Sequence, residues 1–431
     1  MRGPPAAPRG RWRRRRVRRP RRHPRDRRRL GQSPPRPRAA GPPGHGRPEA
    51  SRAILAAAPR RQLAADPPRG ADVSVHVAVA GWLLEPSPFS GANRRLTSLL
   101  REVPAALRAN ERVTVLHRPS FHPPKGFAPI EWRAVDIPSG PTWRRALAEQ
   151  RTLRALLREL GATVYDHGFL PTPRVGVPLC QTVHDVRDAD GEGRWPPWIA
   201  RAILRRSLRR AAAVITVSDW TAQRLRSLAP GCKPVVIPNG VYEREPGEPP
   251  ASIPDKGYVL HVGHLERRKN LGVLIRALSL IDTADRPELW LIGRDAGEWP
   301  RLRTLAAELG VQQHVRYLGP KSDFVLPAYY HDARLVVVPS RYEGFGLPVL
   351  EAQVHGTRVA VANAGALPEV VGDGAILPVN DPAAWAAEMA TPDREPLDTI
   401  RARAARAKQQ DWPTAARQWL ATLRELSSSP A

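Results

Sequence analysis

Short apolar runs alternate with amphipathic stretches along most of the chain. Val73 to Ala80 is rich in valine and reads as a buried strand. A Pro/Ser/Gly loop, residues 86 to 91, follows it, and Ala92 to Arg108 then places Leu96, Leu99, Leu100, Val103 and Leu107 at helical intervals. Further β-branched runs at Arg112 to Leu116, Thr163 to Tyr165, Leu179 to Val183, Ala213 to Val217 and Pro234 to Ile237 predict strands, with helices over 143–160, 195–211 and 219–228. The alternation restarts after Pro238-Asn239-Gly240 and the Pro-rich stretch Glu245 to Pro254, which reads as an interdomain linker. Strands are predicted at Tyr258 to Val262, Leu289 to Ile292, Val315 to Leu318, Leu335 to Val338 and Val359 to Val361, and helices near 270–281, 300–309, 323–331 and 347–355. Such alternation implies two mostly parallel sheets, each with helices on both faces. The expected architecture is α/β: two Rossmann-like domains, 71–239 and 240–411, whose strand ends face one cleft. A last amphipathic helix, Trp412 to Leu426 within 412–431, is expected to pack back across the junction.

Length agrees with this division, since 431 residues at ~150 per domain allow two or three domains. Charge changes the picture at one end only. Residues 1–70 hold 22 Arg, 14 Pro and 3 acids, whereas residues 71–431 carry 46 basic and 38 acidic side chains. Self-repulsion and proline leave the first segment nothing to bury, so a disordered basic tail is expected over 1–70. Either it binds nucleic acid or anionic lipid weakly and in a salt-dependent way, or it precedes a true start near Val73; the second reading is preferred. The first 30 residues lack the apolar core of a secretory signal, and their proline content opposes a transit-peptide helix. Only six of the 68 basic residues are Lys, as translation of a GC-rich genome produces. Cys180 and Cys232 are too few for a disulfide framework, and no apolar run approaches the ~18 residues of a membrane span. A cytoplasmic protein, soluble or peripheral at the inner face of the membrane, is expected.

The segment Pro339-Ser340-Arg341-Tyr342-Glu343-Gly344-Phe345-Gly346-Leu347-Pro348-Val349-Leu350-Glu351 reads as a strand end, a Gly-rich turn and a helix start. Backbone N–H groups of Gly346 and Leu347 would point at an anion there, with the helix dipole adding to the attraction. Glu343 would lie near phosphates, and Glu351, about one helical turn in, could accept hydrogen bonds from paired hydroxyls such as those of a ribose. The plainer reading is a helix-start acid and a solvated Glu. The first strand of the same half runs into Gly263-His264-Leu265-Glu266-Arg267-Arg268-Lys269-Asn270, which places cations across the cleft from the turn, able to neutralise a diphosphate. Lys269 stands out in a chain so sparing of Lys.

Together with Ile237-Pro238-Asn239-Gly240-Val241, Gly319, and Asn363-Ala364-Gly365-Ala366-Leu367-Pro368-Glu369-Val370, these segments resemble glycosyltransferase family 4, the retaining enzymes of GT-B fold. The resemblance covers about residues 73–426 and is densest over 235–380. It implies a nucleotide-sugar donor held by the second domain and an acceptor held by the first. Carried over by position, Glu351 corresponds to the ribose-binding acid, Glu343 to the acid near the transferring sugar, and Lys269 to the diphosphate lysine. Gly346 and Leu347 correspond to the backbone phosphate donors. Cys180-Gln181-Thr182-Val183-His184-Asp185 resembles the family's strand-end His motif, which places His184 at the donor sugar, and Ser218-Asp219-Trp220 resembles the start of the next helix. Gly91 either permits close approach of a ligand or merely opens its helix. Where relatives often carry Arg this chain has His264, which is a candidate donor-binding residue at the diphosphate beside Arg268 and Lys269, or else only caps the strand end. Where they carry an acid after Pro-Asn-Gly-Val it has Tyr242.

The expected reaction is retaining hexosyl transfer by front-face substitution, without a metal, because no acid is placed as a nucleophile and Lys269, Arg268 and a helix N-terminus supply positive charge. GDP-mannose is the expected donor and a glycan or lipid-linked species the acceptor. The competing readings are another sugar-nucleotide enzyme of the same fold, an epimerase or a phosphorylase, and a nucleic-acid-binding protein with a basic tail. The last is disfavoured, because most of the basic excess lies in the tail, where no aromatic beyond Trp12 could stack on bases.

Overall fold

The computed structural model describes residues 75–84, 90–193, 195–246, 252–254, 257–391 and 395–428. The basic tail expected over 1–70 lies outside the described residues. The first half runs β1 (Val75–Ala80), α1 (Gly91–Ala106), β2 (Glu111–His117), β3 (Glu131–Ala134), α2 (Thr142–Glu159), β4 (Val164–His167), β5 (Leu179–Val183), α3 (Arg187–Asp190), α4 (Pro197–Leu208), β6 (Ala213–Thr216), α5 (Asp219–Leu228) and β7 (Val235–Val236). Its seven strands form a parallel sheet in the order β3-β2-β1-β4-β5-β6-β7. Every residue of β1, β4 and β5 is buried. Strands covered on both faces are what the near-continuous apolar runs in the sequence require.

The second half repeats the plan with β8 (Tyr258–Val262), α6 (Gly272–Leu280), β9 (Glu288–Ile292), α7 (Trp299–Glu308), β10 (Val315–Gly319), α8 (Leu326–His331), β11 (Leu335–Val338), α9 (Leu347–Val354), β12 (Val359–Ala362), α10 (Leu367–Val371), β13 (Ala375–Leu377), α11 (Pro382–Ala390) and α12 (Leu397–Lys408). Its strands pair in the order β10-β9-β8-β11-β12-β13, again all parallel. In each sheet the order reverses beside the first strand, between β1 and β4 and between β8 and β11. That reversal opens a crevice at the strand C-terminal ends.

Local chemistry sets the helix starts. Ser90 caps α1 by accepting the Asn93 N–H, and Leu96, Leu99, Leu100 and Val103 bury one face. The last helix, α13 (Trp412–Ser428), returns to the first half. Trp419, Leu420 and Leu423 are buried, and Arg424 donates twice to Glu111, at 2.7 Å each, in front of β2. Beside this return the Val241 N–H donates to the Gln410 carbonyl at 2.8 Å, so the two chain crossings run side by side.

The sequence reading omitted β3, β13, α3, α10, α11 and α12. β3 and β13 are edge strands with mostly exposed or half-buried side chains, so neither presents an apolar run. Much of the stretch expected to be a linker, 245–254, lies outside the described residues; just before it, Arg244 donates to the Asp323 carbonyl of the second half at 2.9 Å.

Candidate functional site

The loops leaving β8 and β11, neighbours at the reversal of the second sheet, carry residues 263–270 and 339–346. Topology therefore puts His264, Arg268 and Lys269 beside Glu343 and Gly346. All of these, with Leu347 and Glu351 on α9 and with Gly91 and His184 of the first half, line one cavity of about 460 Å³ between the two sheets.

At its centre Glu343 is held on three sides. Lys269 Nζ lies 2.5 Å from its Oε1, which also accepts the Ser340 hydroxyl at 2.8 Å, and Arg268 Nη1 reaches Oε2 at 3.2 Å. Burial would raise this carboxyl, but Lys269 and Arg268, helped by Ser340, outweigh it and bring the pKa down to about 2. Glu343 is therefore a fixed charge. The expectation of two cations facing the Gly-rich turn becomes a tethered cluster, because Lys269 and Arg268 hold their own carboxylate. Arg268 also pairs with Glu266 at 2.7 Å. Asn270, in the left-handed region at φ 54°, ends the turn that presents Lys269, and its side chain bonds the Val379 carbonyl.

Gly346 caps α9 with φ 107°, a conformation that disfavours any side chain, and the first N–H groups of α9 have no helical acceptor. Glu351 is not solvated: its Oε1 accepts Arg94 of α1 and its Oε2 accepts the Tyr330 hydroxyl at 2.7 Å. Arg94 also pairs with Asp323 and so joins the two halves beside the cavity. Arg94 was not found from the sequence, since one arginine on a helix carries no signal in so Arg-rich a chain. Ser340 was read only as part of a turn. Tyr242 is absent from the lining of this cavity; its hydroxyl donates to Glu102 at 2.8 Å, and the guanidinium groups of Arg101 and Arg244 each lie 5.6 Å from its ring centroid.

From the first half, His184 directly follows β5 and lines the cavity. Loss of solvent, and then the nearby Arg95 charge, pull its pKa down to about 3. The imidazole is thus neutral at pH 7, able to donate one hydrogen bond and accept one. Turnover is expected to show no titration step from His184 between pH 5 and 8, and His184→Ala to lower kcat roughly tenfold without altering the pH profile. A limb near pH 6.5 that His184→Ala removes would overturn this assignment.

Two family models match the chain in succession. That described as Glycosyltransferase Family 4 covers residues 89–245, and that described as Glycosyl transferases group 1 covers residues 247–408. The chain belongs to glycosyltransferase family 4. Among its relatives is the O-antigen chain mannosyltransferase B of Escherichia coli, 36% identical over 187 residues, which are 40% of this chain and 49% of that one. A D-inositol 3-phosphate glycosyltransferase of Salinispora arenicola is 33% identical over 252 residues, 51% of this chain and 56% of that one. The chain thus spans about half the length of the curated relatives it matches. In fold it resembles the sucrose-phosphate synthase of Thermosynechococcus elongatus, with a TM-score of 0.65 at 20% identity over 82% of this chain and 99% of that one. The family fold, GT-B, is the paired-sheet architecture described above.

Proposed function

We propose that the protein is a retaining glycosyltransferase that moves a hexose from a nucleotide-diphosphate sugar to a glycan or lipid-linked acceptor. The observation that carries this reading is the Lys269–Glu343–Arg268 cluster facing the N-terminus of α9, with Glu351 one turn further in. In it, Lys269, Arg268 and the Gly346 and Leu347 amides take the diphosphate, and Glu351 takes the ribose. His184, on the opposite wall, faces the sugar. Front-face substitution needs little more from the protein: the anomeric C–O bond to phosphate breaks, the acceptor oxygen bonds to the same face, and the departing phosphate oxygen receives the acceptor's proton. The protein's part is to stabilise the charge growing on the leaving group, by cations already fixed in place.

Mannose from GDP-mannose is the donor we assign, supported by the similarity to the Escherichia coli O-antigen chain mannosyltransferase B. No metal is assigned a role. Among the described residues no group of three or more His, Cys, Asp or Glu side chains is arranged to hold one, and Lys269 and Arg268 provide the charge. A lipid-linked acceptor is supported by the rim of the first half. Trp143 and Trp198 are 61% and 72% exposed at the N-terminal ends of α2 and α4, and exposed Arg151, Arg154 and Arg158 continue along α2. Such a surface suits the headgroup region of an anionic bilayer, and we place the protein at the inner face of the membrane. No helix among the described residues is long and apolar enough to cross a membrane.

GDP-mannose at a hundred times its Kd should stabilise the fold by about 2.7 kcal/mol, whether or not EDTA is present. With a polyprenyl-linked glycan added, GDP and an α-linked mannosyl product should form together. Isomerised nucleotide sugar without GDP release would identify an epimerase, and sugar 1-phosphate formation from inorganic phosphate a phosphorylase. Either product would overturn the proposal.

A further inference from the structure

The helix α5 begins at the contact between the halves, and its first N–H groups are satisfied from across it. Ser218 caps the helix in the ordinary way, its Oγ accepting the Thr221 N–H at 3.1 Å. The Asp219 and Trp220 N–H groups donate instead to Glu369 of α10, at 3.0 Å to Oε1 and 2.8 Å to Oε2. Glu369 is exposed, and its carboxylate spans two amides at the positive end of a helix dipole, a charge-assisted contact fixed at both oxygens. Here it is made between side chain and backbone 150 residues apart.

The same junction holds the residues on either side of Glu343. The Ser218 hydroxyl donates to the Gly344 carbonyl at 2.7 Å. The Trp220 indole stands edge-on to the Tyr342 ring at 5.0 Å, and the Tyr342 hydroxyl donates to Asp190 of α3 at 3.0 Å. The Glu343 carbonyl accepts the Ala366 N–H at 2.9 Å, from the turn that leads to Glu369. Gly344 admits a close approach of the two halves, since a Cβ there would lie 2.0 Å from the His184 carbonyl. The loop carrying Glu343 is thus gripped by α3 and α5 of the opposite half, beside His184.

We propose that Glu369 is a positioning residue: by capping α5 across the cleft it holds the first half, and with it His184, against the Tyr342–Gly344 loop that presents Glu343. Ser218 is its partner in the same contact. Neither lines the cavity; their effect on turnover rests on the transferase reading above, whereas their effect on the junction does not. The donor groups assigned above, apart from His184, lie mostly in the second half. Loosening the junction should therefore spare donor binding and impair transfer.

The test uses the full chain and the variants Glu369→Gln, Glu369→Asp and Ser218→Ala. Hydrogen exchange without ligand reads the junction directly. Glu369→Gln should speed exchange at least tenfold in segments 218–222 and 342–346 and leave the β1 and β8 amides protected. With GDP-mannose and a lipid-linked acceptor, its kcat should fall at least tenfold while the donor Kd by calorimetry stays within threefold. Ser218→Ala should do the same to a smaller degree, and Glu369→Asp should recover at least a third of the turnover. Faster exchange in both segments with no donor bound by the wild type would sustain the junction and sink the transferase reading. Unchanged exchange at 342–346 in both Glu369→Gln and Ser218→Ala would overturn the proposal, as would a donor Kd that rises in step with the loss of kcat.

Discussion

Lys269→Met should lower donor kcat/KM by roughly a thousandfold, about 4 kcal/mol at 1.36 kcal/mol per decade, and should also destabilise the fold. Both effects come from one atom. Lys269 Nζ sits 2.5 Å from Glu343 in a site where both side chains are about one-tenth exposed, so neither charge has water to fall back on. Taking one partner out of such a pair ordinarily costs about 3–5 kcal/mol of stability, and less where other partners remain. Arg268 and Ser340 do remain, so about 2 kcal/mol is expected. The sign of the pH dependence follows from Glu343. A carboxyl held down at about 2 contributes stability that is complete above its ordinary pKa and is lost as pH falls through about 2. Without Lys269 the carboxyl rises toward its ordinary range, so its contribution shrinks and the smaller loss is complete at a higher pH. Urea unfolding of wild type and variant between pH 3 and 7 should therefore diverge most near neutrality and converge in acid. The double variant Lys269→Met/Glu343→Gln separates the roles. With both charges removed it should regain most of the lost stability and none of the activity. If it regains activity as well, the pair is structural and the diphosphate lies elsewhere.

That cluster shows how far the sequence could be read. Short apolar runs marked β5, β8 and β11 because both of their faces are covered, and covering both faces forces the same composition whatever the helices around them. β3 could not be seen that way: Glu131–Ala134 keeps its pairing partly through Arg112 and Glu131, which form an exposed ion pair at 2.7 Å, and leaves most of its side chains in water. The turn and helix from Pro339 to Glu351 were legible because glycine and proline positions state backbone requirements directly. That Lys269 and Arg268 bind Glu343 rather than stand free was not legible. It depends on β8 and β11 being neighbours, and strand order is not written in either strand. Arg94 and Glu369 are further from reach, since each acts only where the two halves meet.

Glu351 yields the second large effect, of a different kind. Glu351→Ala should raise the donor KM about thirtyfold and change kcat by less than threefold, because a ribose contact is made equally in the bound substrate and in the transition state. Arg94 and Tyr330 already occupy one lone pair on each oxygen of this carboxylate, and each oxygen keeps a second for a ribose hydroxyl. The two partners thus orient the group without blocking it. Arg94→Ala should cost less than Glu351→Ala, since Tyr330 still fixes one oxygen and the carboxylate is still present. A donor lacking both ribose hydroxyls isolates the contact. Wild type should bind GDP-mannose at least tenfold more tightly than its 2′,3′-dideoxyribose analogue, and Glu351→Ala should bind the two alike. Should the variant still discriminate between them by calorimetry, the hydroxyls are read by another group, and the Arg94–Glu351–Tyr330 arrangement is a tie between the halves rather than a part of the donor site.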